Sequence, residues 1–228
     1  MKRIGILLSG CGVYDGAEIQ ESVLTMLAIE EVDAEYFCIS VDKDQYHSIN
    51  HLTGEEQKET RNMLVESARI ARGEIIDITK VDLREMDALV IPGGFGSAKN
   101  FTNWAFEGPR GKILPEVKLL LINLINIGKP ILALCVSPVV LAKAFEGGLF
   151  QPKLTIGSTK TSSPYVIEDF NKGMESIGVE SIDKSVDDIL IDSDNKIVTA
   201  PCYMMDASIL EVRNNIKKGV EALIKLID

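Results

Sequence analysis

The chain has 228 residues, 46% of them hydrophobic, and a formal net charge of −10 at pH 7. That is enough apolar chain to bury a core without disulfide staples. So acidic a balance excludes non-specific binding to nucleic acid or an anionic membrane, both of which need clustered Lys and Arg.

Residues 4–8 follow Met1-Lys2-Arg3 as an aliphatic strand, too short for the apolar region of a signal peptide, and Ser9-Gly10-Cys11-Gly12 ends it. Residues 17–32 carry Ile19, Val23, Met26, Leu27 and Ile29 at helical spacing. Residues 34–40 form a second strand and residues 47–52 a polar connection. Thr53-Gly54-Glu55-Glu56 matches a capping box and predicts a helix running to about residue 71. Residues 75–78 are a short strand. Residues 88–92 are a central strand ended by Gly93-Gly94-Phe95-Gly96, with a loop over 97–111. A helix over 114–127 closes at Gly128. Residues 130–134 are the next strand, and Ser137-Pro138 starts a helix that reaches Phe145, since Pro suits a first helical turn. A short strand at 154–157, a helix at 164–177, strands at 188–191 and 196–200, and a helix at 207–227 complete the chain.

Short aliphatic strands alternating with amphipathic helices predict a single α/β domain over 1–228, with a mostly parallel sheet covered by helices on both faces. No apolar run is long and pure enough to span a bilayer. Cys11, Cys38, Cys135 and Cys202 are irregularly spaced, unlike a secreted disulfide framework. We therefore expect a soluble protein of a reducing, cytoplasmic compartment.

Ligands of such sheets bind at the carboxyl ends of the strands. There Cys135 stands between a buried strand and a helix start, the setting of a nucleophile elbow. Unpaired amides and the positive end of the helix favour thiolate and predict a lowered pKa. Glycines at 93 and 94 let the backbone approach an oxyanion, and the amides of Gly94 and Val136 together form a candidate oxyanion hole. The first loop runs into Glu18 and Glu21, which share a helix face. Either carboxyl is a candidate to reach the thiol and shuttle a proton, or both are first-turn glutamates favoured by the helix dipole.

Three stretches carry a resemblance: residues 8–21 (Leu-Ser-Gly-Cys-Gly-Val-Tyr-Asp-Gly-Ala-Glu-Ile-Gln-Glu), Ile91-Pro92-Gly93-Gly94-Phe95-Gly96, and Gly128-Lys129-Pro130 running to Cys135. Val186-Asp187-Asp188, residues 194–201 and Tyr203-Met204 extend it. The chain resembles the ElbB-like branch of the DJ/PfpI superfamily, with its class I glutamine amidotransferase-like fold. The resemblance implies a flavodoxin-like three-layer sandwich, a homodimer, Cys135 as nucleophile, Glu21 as its acidic partner, and Gly94 with Val136 at the oxyanion. It implies a glutathione-independent glyoxalase that turns methylglyoxal or glyoxal into a 2-hydroxy acid, with no metal or organic cofactor, and a link to isoprenoid biosynthesis. Gly10, Cys11, Glu18, Gly93 and Cys202 would line the pocket. Where many relatives place His after the cysteine, this chain has Val136, so a Cys-His hydrolase lacks its base.

Three other readings use the same text. Gly10-x-Gly12-x-x-x-Gly16 is one residue too long for a dinucleotide fingerprint. His47 and His51 have metal-ligand spacing but no evident third ligand. Cys135 as a non-enzymatic redox sensor is the alternative of a different class.

Overall fold

A computed structural model of the protein describes residues 1–227. In chain order it contains β1 (Arg3–Leu7), α1 (Ile19–Glu30), β2 (Glu35–Ser40), β3 (Ser48–Ile49), β4 (Glu56–Gln57), α2 (Met63–Ile70), β5 (Ile75–Asp77), β6 (Ala88–Ile91), α3 (Trp104–Glu107), α4 (Pro115–Asn126), β7 (Ile131–Leu134), α5 (Pro138–Phe145), β8 (Lys153–Leu154), α6 (Ile167–Glu175), β9 (Glu180–Ser181), β10 (Leu190–Asp192), β11 (Ile197–Ala200) and α7 (Ile209–Leu226).

Seven strands form the main sheet in the order β10-β11-β7-β6-β1-β2-β5. Neighbours are parallel throughout, except that β10 runs antiparallel to β11. All residues of β6, β7 and β11 are buried, because helices cover both faces of a parallel sheet and leave no side for water. Helix α1 packs beside α7, and α4 beside α5. The fold is the α/β flavodoxin-like sandwich.

From β1 the chain steps to β2 on one side and later returns to β6 on the other. The carboxyl ends of β1 and β6 therefore flank the point where strand order reverses, and a crevice opens there in folds of this kind. The loops after β1, β6, β7 and β11 meet at this edge and carry Gly10, Gly93, Cys135 and Cys202 respectively.

The expected helix over 53–71 is half absent. Thr53 and Gly54 lie in the turn of the β3–β4 hairpin, where Gly54 takes a φ of 75° and donates its amide to the Asn50 carbonyl at 2.7 Å. Residues 55–61 are Glu, Glu, Gln, Lys, Glu, Thr and Arg, with no apolar stripe to hold a helix against the core. The helix starts only at Met63, capped by Asn62, whose side chain accepts from the Val65 amide at 3.0 Å. The expected loop over 97–111 instead contains a π-helical turn (Ser97–Phe101), α3 and a 3₁₀ turn (Gly108–Arg110). The strand expected at 154–157 is the short β8, and the helix expected at 164–177 is trimmed to α6.

Candidate active site

Cys135 follows β7 with a φ of 57°, a left-handed conformation that costs a non-glycine residue about 1–3 kcal/mol and persists only where its surroundings enforce it. Here the surroundings do so. The Cys135 amide donates to Ala200 O at 2.9 Å and the Ser137 amide to Leu134 O at 2.9 Å. The Ser137 hydroxyl donates to Pro92 O at 2.6 Å and lies 2.8 Å from the Ser97 hydroxyl. These bonds lock the elbow to the glycine loop after β6. The thiol is lifted out of the sheet yet remains only 6% exposed.

Gly93 sits against both reactive groups. A Cβ there would lie 2.3 Å from Cys135 Cβ and 2.4 Å from Glu21 Oε2, so only glycine lets the acid and the thiol meet. Glu21 belongs to the first turn of α1 and is fully buried. Its Oε2 accepts the Gly93 amide at 2.9 Å and its Oε1 accepts the Tyr203 amide at 3.2 Å. A side-chain hydrogen bond joins it to Cys135. Glu18 is instead the N-cap of α1, accepting the Glu21 amide at 2.6 Å. Of the two carboxyls that share this turn, Glu21 reaches the sulfur and Glu18 holds the helix end.

Burial, and then the nearby charge of Glu18, push the Glu21 carboxyl up to about 8. Burial likewise raises the Cys135 thiol, the Glu21 carboxylate adds to the shift, and the amides of Gly94 and Val136 hydrogen-bond to the sulfur and oppose it. Those two amides are directed at the sulfur. The expected lowering of the thiol pKa is nevertheless overturned. Desolvation in a dry pocket outweighs two amides and a helix end. At neutral pH the pair thus carries a proton on each member, and Glu21 is the first to release one.

The remaining expected pocket residues separate. Cys202 is wholly buried with a φ of 46° and its amide on Asn215 Oδ1 at 3.0 Å. It packs beneath the elbow. Cys11 faces Glu66, Arg69, Asp15 and Arg61 on the α2 side of the first loop, and Gly10 donates its amide to Ser67 Oγ at 2.9 Å. Both lie on a support of the site. That loop folds on itself: the Gly12 amide binds Ala17 O at 2.8 Å, and the Gly16 amide binds Gly12 O at 2.7 Å. Two of its amides are spent internally and those of Gly10 and Tyr14 on Ser67 and His51, and the Asp15 side chain is buried beneath it, so it forms no pyrophosphate cradle. His47 lies 3.1 Å from Lys99 Nζ, while His51 accepts the Tyr14 amide at 3.2 Å and stacks on Tyr14. Among the described residues no three His, Cys, Asp or Glu side chains are arranged to hold a metal ion.

Two further residues bear on the dyad, neither of them singled out from the sequence as a site residue. Tyr203 contributes its backbone amide to Glu21, which no side-chain pattern encodes. Tyr165 packs edge-on against Phe95, ring centres 5.7 Å apart. Its hydroxyl is raised to about 12 by burial and by the charges of Cys135, Glu21 and Tyr14. It comes from a segment thirty residues beyond Cys135 in sequence.

No family model matches the chain. It is 34% identical over 229 residues to the rat protein named ES1 protein homolog, mitochondrial, covering 99% of this chain and 82% of that one. It is 34% identical over 228 residues to the human protein named glutamine amidotransferase-like class 1 domain-containing protein 3, mitochondrial, covering 98% and 83%. A crystal structure from Ehrlichia chaffeensis, described as an isoprenoid biosynthesis protein with amidotransferase-like domain, superposes with a TM-score of 0.89 at 34% identity, covering 99% of both chains.

Proposed function

The chain belongs to the ElbB-like, ES1 branch of the DJ/PfpI superfamily, with its class I glutamine amidotransferase-like fold, and on that footing we propose that it is a glutathione-independent glyoxalase converting α-oxoaldehydes to 2-hydroxy acids. The observation that carries this reading is the buried Cys135–Glu21 pair, in which the acid is raised to about 8 and hydrogen-bonded to the thiol. A carboxyl tuned to that range both takes and returns protons near neutral pH.

The route uses only groups at hand. In the singly protonated pair, the ionised Glu21 takes the thiol proton as sulfur adds to the aldehyde carbon and returns it to the new oxyanion, which the amides of Gly94 and Val136 hold, so that the hemithioacetal forms with Glu21 again a carboxylate. The hemithioacetal carbon loses its proton to Glu21, forming an enediol across the two carbons. The proton returns to the former ketone carbon, leaving a Cys135 thioester of the 2-hydroxy acid. Water hydrolyses the thioester, and the free thiol is restored. The aldehyde carbon is oxidised and its neighbour reduced, so neither an external oxidant nor a reductant enters.

A glutaminase use of the same cysteine has less support, because both histidines are engaged beside Tyr14 and Lys99. Peroxide sensing favours an accessible thiolate, and the Cys135 thiol is buried and raised. We also read the protein as a homodimer of a reducing, cytoplasmic-type compartment. Ile19, Val23 and Leu27 are 46%, 50% and 47% exposed along one face of α1, an apolar stripe suited to a second copy. The distinguishing test of the acid is aldehyde turnover. Glu21→Gln abolishes it and Glu18→Gln retains it; the opposite pattern would overturn the assignment.

A further inference from the structure

A groove of 270 Å³ lies between α3 and the 3₁₀ turn on one wall and α6 on the other. Phe95, Trp104, Pro109 and Phe170 supply its aromatic and apolar lining, Ala105 opens its mouth, and Asp169 stands on the rim. Trp104 is packed under α6, where a Cβ on Gly173 would lie 2.9 Å from its ring. The groove joins the reactive centre through one residue. Phe95 directly follows Gly94, whose amide hydrogen-bonds to the Cys135 sulfur. The Phe95 ring lines the groove and also meets the Tyr165 ring, whose hydroxyl feels the charges of Cys135 and Glu21.

A bare two- or three-carbon dicarbonyl leaves such a groove empty. Its volume suits a phenyl ring or a branched alkyl group, and its walls offer aromatic faces with little polar surface. The carboxylate of Asp169, on a chain of net charge −10, repels an anionic substituent. We propose that this groove is the subsite for an uncharged apolar substituent, aryl or branched alkyl, of the oxo compound whose carbonyl end meets Cys135. The inference rests on the glyoxalase reading for its chemistry and names the substrate class within it. The balance is unchanged: an arylglyoxal plus water gives an aryl 2-hydroxy acid, with the substituent untouched.

Trp104 is the single tryptophan of the chain, so its fluorescence reports the groove directly and without turnover. Mandelate, the hydroxy acid of phenylglyoxal, is titrated against lactate. The proposal expects a saturable change in Trp104 emission with mandelate and none with lactate. Ala105→Phe, a filling change at an exposed position, abolishes the mandelate response while far-ultraviolet circular dichroism stays native. If that variant does not fold, Phe170→Leu takes its place and weakens mandelate binding. In turnover, kcat/KM for phenylglyoxal exceeds that for methylglyoxal at least tenfold, and Ala105→Phe lowers the ratio at least tenfold, in the range that small pocket changes produce. Equal responses to mandelate and lactate, or a preference for methylglyoxal, would sink the subsite. Absence of turnover with either dicarbonyl, alongside a mandelate response lost in Ala105→Phe, would uphold the groove and overturn the glyoxalase reading instead.

Discussion

Glu21 is held out of water by two backbone amides and a thiol, and its proton is the first that the site gives up as pH rises. Releasing it creates the base that the thiol needs, so the reactive form is the pair with one proton between them. Alkylation of Cys135 by iodoacetamide, followed by peptide mapping, therefore accelerates through about pH 8 and then levels off. Glu21→Gln removes that inflection and leaves only the rise toward the thiol's own, higher pKa. Identical profiles for the two proteins would show that the acid does not govern the thiol. The same burial has a stability consequence. The folded state binds the Glu21 proton more tightly than the unfolded chain, whose carboxyl titrates near 4.5. Its contribution is intact below that pH and is lost as pH rises toward about 8. At roughly 1.4 kcal/mol for each tenfold in proton affinity, a few kcal/mol are at stake. Urea unfolding at pH 5 and pH 9 shows this loss in the wild type and its absence in Glu21→Gln.

Local punctuation misled the reading of elements in one place. Thr53 and Glu56 have the spacing of a capping box, but the polar residues that follow give a helix nothing to bury, so the segment turns into a hairpin. Asn62 caps α2 instead. Thr53→Ala consequently changes unfolding stability by less than about 0.5 kcal/mol, whereas Asn62→Ala costs about 1 kcal/mol; the reverse order in denaturant melts would restore the capping-box reading. The buried strands were legible because a parallel sheet demands unbroken aliphatic runs such as Ile131-Leu132-Ala133-Leu134. The elbow was legible because Cys135 follows that run and Pro138 opens the next helix. The environment of the sulfur was not. Its pKa depends on how tightly Gly93 and Glu21 close around it, and these residues come from two separate elements. The Glu21–Tyr203 contact spans 182 positions and uses a backbone amide, which leaves no trace in side-chain pattern.

At the scale of the molecule, chain order brings four loops to one edge of the sheet, and Ser137, Pro92 and Gly93 tie two of them into a rigid frame for the dyad. Among the described residues no helix is long and apolar enough to cross a membrane. The α1 stripe is the largest-scale surface reading we make: Val23→Asp places a charge at its centre and converts a dimer to a monomer in sedimentation equilibrium. A wild-type protein that already sediments as a monomer would remove the second copy from the account. The central claim concerns the dyad, and it is tested most directly by lactate formation from methylglyoxal without glutathione, wild type beside Cys135→Ser. The account predicts lactate from the wild type and none above background from the variant. Equal lactate from both, or none from either, would contradict it.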